Sequence, residues 1–432
     1  MHSAGLGLGT GGPKLHLLDS EGILFCQVTH RLFYLNTTAA YLWCCLEEGL
    51  DLRATSDALS EQFGILPEDA AKDIAACLAD WQSHGFLSQP VLDEASGDDA
   101  GTADPPPRST TTVAGTEIPY PPANHPLQSP PVNNVNGPIP APPKLATAVS
   151  TPCESQREYQ VGTLRLHVRF PSSTSQALVH PVLAHLEKTP PAVAPGQPSA
   201  TLEIGWTGSD YTLSRGGQEL EQHIPPSGLA PSVVRHALLT AYERSDCLVA
   251  IHAAAVGSSG GCLLLPGAPG SGKSTLAAAL MADGVPCLTD ELVLLSKDQH
   301  VQPVPVSLGL KAGSWPLLRH HYPELETSTV HHQADGTPVR YLPPSQEGSW
   351  QWNDPVRAIL FPQWVPVTPD PLTKIGTAQA LYRIAEAGYA LPGTLDASVL
   401  TQLIDWLNPI DCFTLGVRDL ETATSQIKAL LT

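Results

Sequence analysis

Eight consecutive residues, Gly267-Ala268-Pro269-Gly270-Ser271-Gly272-Lys273-Ser274, fit the phosphate-binding spacing GxxxxGK[ST], and Thr275 follows them. Glycines at these places let backbone N–H groups curl around phosphate oxygens that side chains would otherwise block. A lysine at the seventh place can reach β- and γ-phosphates, and the Ser274 hydroxyl can hold Mg²⁺. Two carboxylates, Asp290 and Glu291, stand downstream, and His252 stands upstream. Phosphoryl transfer to a hydroxyl needs one carboxylate to take the alcohol proton and another ligand for the metal. Asp290 suits either role and Glu291 the other. His252 could orient a carboxylate or touch the transferring phosphate. The plain alternatives are a glycine-rich turn, a solvated acidic turn and a satisfied core histidine.

The flanking residues supply the setting this chemistry needs. Cys262 to Leu265 is an apolar run of strand length, and Thr275 to Met281 is rich in alanine and leucine and reads as a helix. Strand, glycine turn and helix start are the context in which the spacing has meaning. His252 lies on the run Leu248 to Val256, and Asp290 closes the run Val285 to Thr289. A parallel sheet would bring these strand ends to the edge that carries the loop. Tyr159 to Phe170, Leu202 to Trp206, Tyr211 to Ser214, Leu292 to Leu295 and Ala358 to Phe361 also read as strands. Ser232 to Tyr242, Thr377 to Ala387, Ser398 to Leu407 and Glu421 to Leu431 read as helices. His320-His321 and His331-His332 lack a third ligand at metal spacing and read as polar loop residues.

The chain has 432 residues, so two or three domains are expected. Its net charge of −19 argues against nucleic acid or an anionic membrane as partner. Nucleotide binding must then come from local backbone geometry. The nine cysteines are scattered without a CxxC pair, which fits buried, reduced thiols. With no signal-like start and no membrane-length apolar run, a cytoplasmic location is expected.

Residues 1–88 read as one small unit. Ile23 to Val28 and Arg31 to Leu35 form a hairpin, and Asn36 or Thr37 caps a first helix that Gly49 ends. Leu52 to Phe63 and Pro67 to His84 give two more helices, and Gly85-Phe86-Leu87 a closing short strand or tail. This is a module of winged-helix character. Residues 89–155 concentrate proline, as in Asp104-Pro105-Pro106-Pro107 and Pro138-Ile139-Pro140-Ala141-Pro142-Pro143, and read as a disordered tether. Residues 156–432 form the α/β domain that carries the phosphate loop.

Tyr34-Leu35-Asn36-Thr37-Thr38-Ala39, Leu42-Trp43, the Leu59 to Phe63 helix and the Trp81 to Leu87 ending resemble the PqqD family across most of residues 15–88. That resemblance implies a domain that binds peptide leader segments by strand addition to an exposed sheet edge and presents them to a modifying enzyme. His252, the Gly267 to Ser274 loop and the acidic pair resemble the HPr kinase/phosphorylase family and its HprK-related P-loop kinases. So do Val306 to Pro316 and Val339-Arg340-Tyr341-Leu342-Pro343-Pro344, and the likeness spans roughly residues 230–432. It implies Asp290 as general base, Ser274 as magnesium ligand, and Lys311 and Arg340 as cationic contacts to phosphate or acceptor. It also permits a homo-oligomer. The sequence departs from that family in having Glu291 where a second aspartate is usual and Ala253 where a glycine is usual. Both changes bear on reverse phosphorolysis more than on the kinase reaction.

Taken together these residues lead to an ATP- and Mg²⁺-dependent phosphotransferase. Gly267, Gly270, Ser271, Gly272, Lys273, Ser274 and Thr275 hold nucleotide, Asp290, Lys273 and His252 form the catalytic group, and Ser274 and Glu291 hold metal. The acceptor is a hydroxyl, serine first, of a peptide or small carrier protein held by the PqqD-like unit. Two alternatives stand: an ATP-regulated peptide chaperone or switch, and a small-molecule kinase whose N-terminal unit only recruits a partner enzyme.

Overall fold

The computed structural model of the chain describes residues 12–87, 116–118, 153–187, 196–258, 261–344, 355–364 and 372–431. Of residues 89–155, read above as a tether, 89–115 and 119–152 lie outside them. The chain divides into two units. One comprises Met1–Tyr120, Ile375–Glu386 and Gly393–Pro409. The other comprises Pro121–Lys374, Ala387–Pro392 and Ile410–Thr432.

The first unit begins with three antiparallel strands, β1 (Lys14–Leu18), β2 (Glu21–Cys26) and β3 (Arg31–Leu35). The strand β1 is one that the sequence did not announce. Helices α1 (Thr37–Glu47), α2 (Leu52–Phe63) and α3 (Pro67–Ser83) follow. Local signals explain their limits. Asn36 caps α1 by accepting the Ala39 N–H at 2.9 Å, Asp51 caps α2 at Ala54, and Gly64 ends α2 in the left-handed region. Replacing Asn36 with alanine is expected to lower stability by about 1 kcal/mol, read from chemical denaturation. Trp43 and Trp81 meet edge to face at 5.0 Å in the buried centre, with Phe33, Leu59 and Ile74 around them. Of the two forms expected for Gly85-Phe86-Leu87, the structure has the tail, which leaves the helix through a turn, and not the strand. It is shaped by packing, since Phe86 stands edge-on against Phe33 at 4.4 Å. A fourth strand, β4 (Thr116–Ile118), pairs with β3 and arises inside the stretch read as tether.

The second unit opens with a five-stranded sheet of β5 (Ser155–Val161), β6 (Leu164–Phe170), β7 (Ser199–Trp206), β8 (Tyr211–Arg215) and β9 (Gln218–Ile224). Helices α4 (Ser173–Leu183) and α5 (Leu229–Glu243) share a core with it, in which Tyr159, Phe170, Val179, Leu213 and Val233 are buried. Then come β10 (Val249–Ile251), β11 (Ala253–Ser258), β12 (Gly261–Pro266) and α6 (Lys273–Ala282). These are followed by β13 (Cys287–Thr289), β14 (Val293–Leu295) and β15 (Val301–Gln302). Further on lie β16 (Leu308–Lys311), α7 (Trp315–Leu318), β17 (His331–His332), β18 (Pro338–Leu342), β19 (Val356–Trp364) and β20 (Leu372–Ile375).

The chain then supplies α8 (Thr377–Ala387), whose residues to Glu386 belong to the first unit, and β21 (Tyr389–Ala390) to the second. It continues with α9 (Ala397–Leu407) in the first unit and ends with β22 (Asp411–Val417) and α10 (Leu420–Leu431) in the second. Within the first unit Tyr34 stacks on Tyr382 at 5.4 Å and His30 Nδ1 meets the Leu395 carbonyl at 2.7 Å.

The central sheet of the second unit has the order β13-β11-β12-β19-β22-β20. β12, β19 and β22 run parallel, but β11 is antiparallel to both β12 and β13. The expectation of a parallel sheet around the loop is thus half right. The short β11–β12 connection forces a hairpin, because a parallel crossover needs about a dozen residues or more. Helices α6 and α10 share the core of this sheet with Leu263, Leu265, Leu360 and Leu415.

Candidate functional site

β12 is buried along its whole length and delivers the chain at Pro266 into the glycine turn. Two glycines there have definite reasons. A Cβ on Gly267 would sit 2.5 Å from the Ser271 hydroxyl. Gly272 holds φ at 93°, in the left-handed region, and a Cβ there would lie 2.3 Å from the Trp364 indole nitrogen. Backbone curvature of this kind turns successive N–H groups toward one point at the start of α6, where the helix dipole adds positive potential.

Lys273 is buried, with 6% of its surface exposed, and its ammonium donates to the Gly267 carbonyl at 2.7 Å. Burial pulls its pKa below the ordinary lysine range, against the opposing pull of Glu291 and Asp290. The Ser271 hydroxyl is buried without a hydrogen-bond partner among the described residues. Thr275 is engaged elsewhere, with its hydroxyl 2.6 Å from that of Ser314. Trp364, at the end of β19, is the residue here that sequence reasoning missed. The run Ala358 to Phe361 shows the strand but not where its end points.

Because β11 is antiparallel to β12, its start faces the end of β12, and Ala253 pairs with Pro266. β13 runs with β12, so its end reaches the same edge. His252, the loop and Asp290-Glu291 therefore meet at one side of the sheet despite the mixed topology. His252 interrupts the strand run between β10 and β11. Its backbone N–H donates to Gly388 at 2.8 Å, its Nδ1 donates to the Ala387 carbonyl at 3.0 Å, and its Nε2 lies 3.3 Å from Glu291 Oε2. Both ring nitrogens face acceptors, which only a ring carrying two protons serves in full.

Asp290 is wholly buried and neither carboxylate oxygen has a hydrogen bond of normal geometry among the described residues. Burial raises its pKa to about 7, and the neighbouring charge of Glu291 adds to the rise. The nearby Ser274 hydroxyl, Lys273 and His252 oppose it. Glu291 goes the other way. Burial would raise it, but His252, Lys273 and Lys311 together hold it below the ordinary glutamate range. About a third of its side-chain surface, 31%, still reaches solvent although protein atoms crowd it. The pair divides into a carboxyl poised near neutrality and a firmly ionised carboxylate, a separation suited to proton transfer beside a fixed charge.

The two outlying cations differ. Lys311, at the end of β16, is near enough for its charge to be felt by both Glu291 and Lys273. Arg340, on β18, is absorbed in the fold. Its guanidinium lies 4.2 Å over the Trp315 ring and donates to the Leu325 carbonyl. Behind Glu291 opens a cavity of about 160 Å³, lined by Ser232, Arg235, Glu291, Ser307, Asp335 and Tyr341 among others. Arg235 is bound to Glu221 at 2.5 Å. Ser307 and Tyr341 fall in the runs compared above with the HprK-related kinases, whereas Ser232, Arg235 and Asp335 belong to no motif read from the sequence.

The histidine pairs are not alike. His320 and His321 are exposed. His331, expected in a polar loop, is instead buried on β17 with its ring 5.5 Å from that of Tyr341. Among the described residues no three His, Cys, Asp or Glu side chains group to hold a metal ion. The fit for magnesium is therefore partial from protein alone. Ser274 and Glu291 would hold it together with phosphate oxygens, and the unpartnered carboxylate of Asp290 beside them is consistent with a missing ligand. No described helix is long and apolar enough to cross a membrane.

Residues 16–87 match the family model for Coenzyme PQQ synthesis protein D (PqqD). The first unit thus carries a PqqD-like domain. No curated protein matches the chain.

Proposed function

We propose that the chain is an ATP- and magnesium-dependent kinase of HPr kinase-like character that phosphorylates a hydroxyl, serine first, of a peptide or small carrier protein held by its PqqD-like domain. The observation that carries the reading is Asp290. A buried, unpartnered carboxyl poised near neutrality stands beside a lysine-bearing glycine turn of phosphate-binding spacing. The match of residues 16–87 supports a peptide as the client.

In this reading the loop amides and Lys273 bind the triphosphate, with Trp364 against the turn. Ser274 and Glu291 would hold a magnesium ion, which when bound would supply charge neutralisation to the phosphates. His252 fixes the Glu291 carboxylate. The acceptor hydroxyl enters from the cavity behind Glu291 and gives its proton to Asp290 while its oxygen bonds to the γ-phosphorus. The bond from that phosphorus to the bridging oxygen breaks, and ADP leaves. Positioning and charge neutralisation do most of the catalysis.

The test is transfer of label from γ-32P-labelled ATP, with magnesium, to a peptide library whose members carry serine, threonine, tyrosine or no hydroxyl. Label on serine peptides is expected. Peptide affinity that changes with nucleotide, without any label, would favour the switch and sink the kinase. The cavity has its own test. Gly309 lines it, and a Cβ there meets only van der Waals neighbours, Val339 at 3.5 Å and Glu291 at 3.7 Å. Gly309→Ala should therefore fold and raise the KM for the acceptor about threefold or more with a smaller effect on ATP affinity, as measured by initial rates and calorimetry.

A further inference from the structure

The sheet of the first unit has the order β1-β2-β3-β4, so the outer edge of β3 is occupied. Its occupant, Thr116–Ile118, comes from the middle of the Pro-rich stretch. The pairing is antiparallel, with Leu32 opposite Ile118, Phe33 opposite Glu117 and Tyr34 opposite Thr116. β3 itself cannot shift to avoid it, because Leu32, Phe33 and Leu35 are buried and Phe33 is locked against Phe86.

The sequence around β4 limits the pairing to a short one. Gly115 precedes it, and Pro119, Pro121 and Pro122 follow. Proline has no N–H to give to a ladder, so Pro119 stops the strand. A three-residue strand makes few ladder bonds. It owes its place on β3 to tethering, which sets a local concentration on the order of millimolar. An open sheet edge is a template for any extended segment.

We infer that Thr116–Ile118 is a resident pseudo-ligand of the β3 edge, and that an extended peptide binds this domain by displacing it. The occupant shows the kind of partner the edge takes: an extended segment in antiparallel register with Leu32 to Tyr34. The short, proline-limited strand keeps the edge covered against indiscriminate pairing and yields to a partner that pairs over a longer stretch. This inference needs neither nucleotide nor a phosphoryl acceptor, so its failure would leave the kinase reading untouched.

The test uses the full chain, its Glu117→Pro/Ile118→Pro variant and a fluorescein-labelled peptide with the sequence of residues 112–122 in which Pro119, Pro121 and Pro122 are replaced by threonine, so that it can pair over a longer stretch. Successive N–H groups of a strand point to opposite sides, so two adjacent prolines remove the ladder-facing donor whichever of the two it is, and break the cis pairing. The variant is expected to bind the peptide at least about tenfold more tightly than the unaltered chain, because the competing state is gone. Backbone amide exchange gives the second measurement. Protection at residues 32–34 should fall in the variant and return when peptide is added, while β2 stays protected as the control for folding. Equal peptide affinity in the two proteins, or unchanged exchange at residues 32–34, would overturn the inference.

Discussion

Lys273→Ala is expected to cut phosphoryl transfer by about 10²–10³-fold and to weaken ATP binding in calorimetry. The ammonium is the only lysine charge set inside the glycine turn, and it lies within the field of both Asp290 and Glu291. Its loss should not unfold the protein. Burying an ammonium is itself unfavourable, and the contact it gives up is to carbonyls of its own loop. Circular dichroism should therefore be unchanged while activity disappears. A variant with full ATP affinity and full transfer would remove the basis for assigning nucleotide to this loop.

Asp290→Asn is expected to abolish turnover and at the same time to raise stability above neutral pH. A general base contributes about 10²–10⁴-fold, so the rate should fall by that order. The stability effect follows from proton linkage. The folded-state pKa, about 7, is above the ordinary aspartate value of 3.8, so between those values the folded protein holds a proton that the unfolded chain has released. Stability from this group is then full below the lower value and is lost as pH rises toward the upper one. At pH 8 the native protein bears a buried charge that asparagine lacks, a difference on the order of a few kcal/mol. Thermal melts of the two proteins should coincide near pH 4 and separate by pH 8, with the variant higher. In the unaltered protein the transfer rate expected from the proposal should climb as pH passes through about 7, where Asp290 gains its basic form. Melts that separate in the opposite sense, or a variant that keeps its rate, would remove Asp290 from the reaction.

Much of the first unit was legible because its signals are local. Asn36, Asp51, Gly64 and Pro67 mark helix ends through hydrogen bonds and φ values that act within a few residues. β1 was not, since Lys14 to Leu18 is half exposed and its pairing with β2 gives it shape. α4 also escaped, because Pro181 lies inside it and its helix is held by the packing of Val179 and Leu183 against the β5–β9 sheet. At the candidate site, the loop and the acidic pair have fixed spacing and could be read. His252 could be named, but its bond to Glu291 depends on the strand break at that residue. Trp364, Ser314 and the cavity behind Glu291 come from segments distant in sequence, which only the sheet order brings close. Arg340 shows the reverse case. Its place in a motif-like run says nothing of the Trp315 ring that takes up its charge.

The 2.7 Å contact between Lys273 and Gly267 means that the ammonium is already answered by a carbonyl of its own turn. An arriving ion must out-compete a carbonyl dipole before it gains the ammonium. Dilute monovalent species such as chloride bring too little charge for that exchange, whereas a polyphosphate brings several negative oxygens at once. If the turn binds nucleotide as proposed, one internal hydrogen bond sets a threshold that simple monovalent anions would not pass.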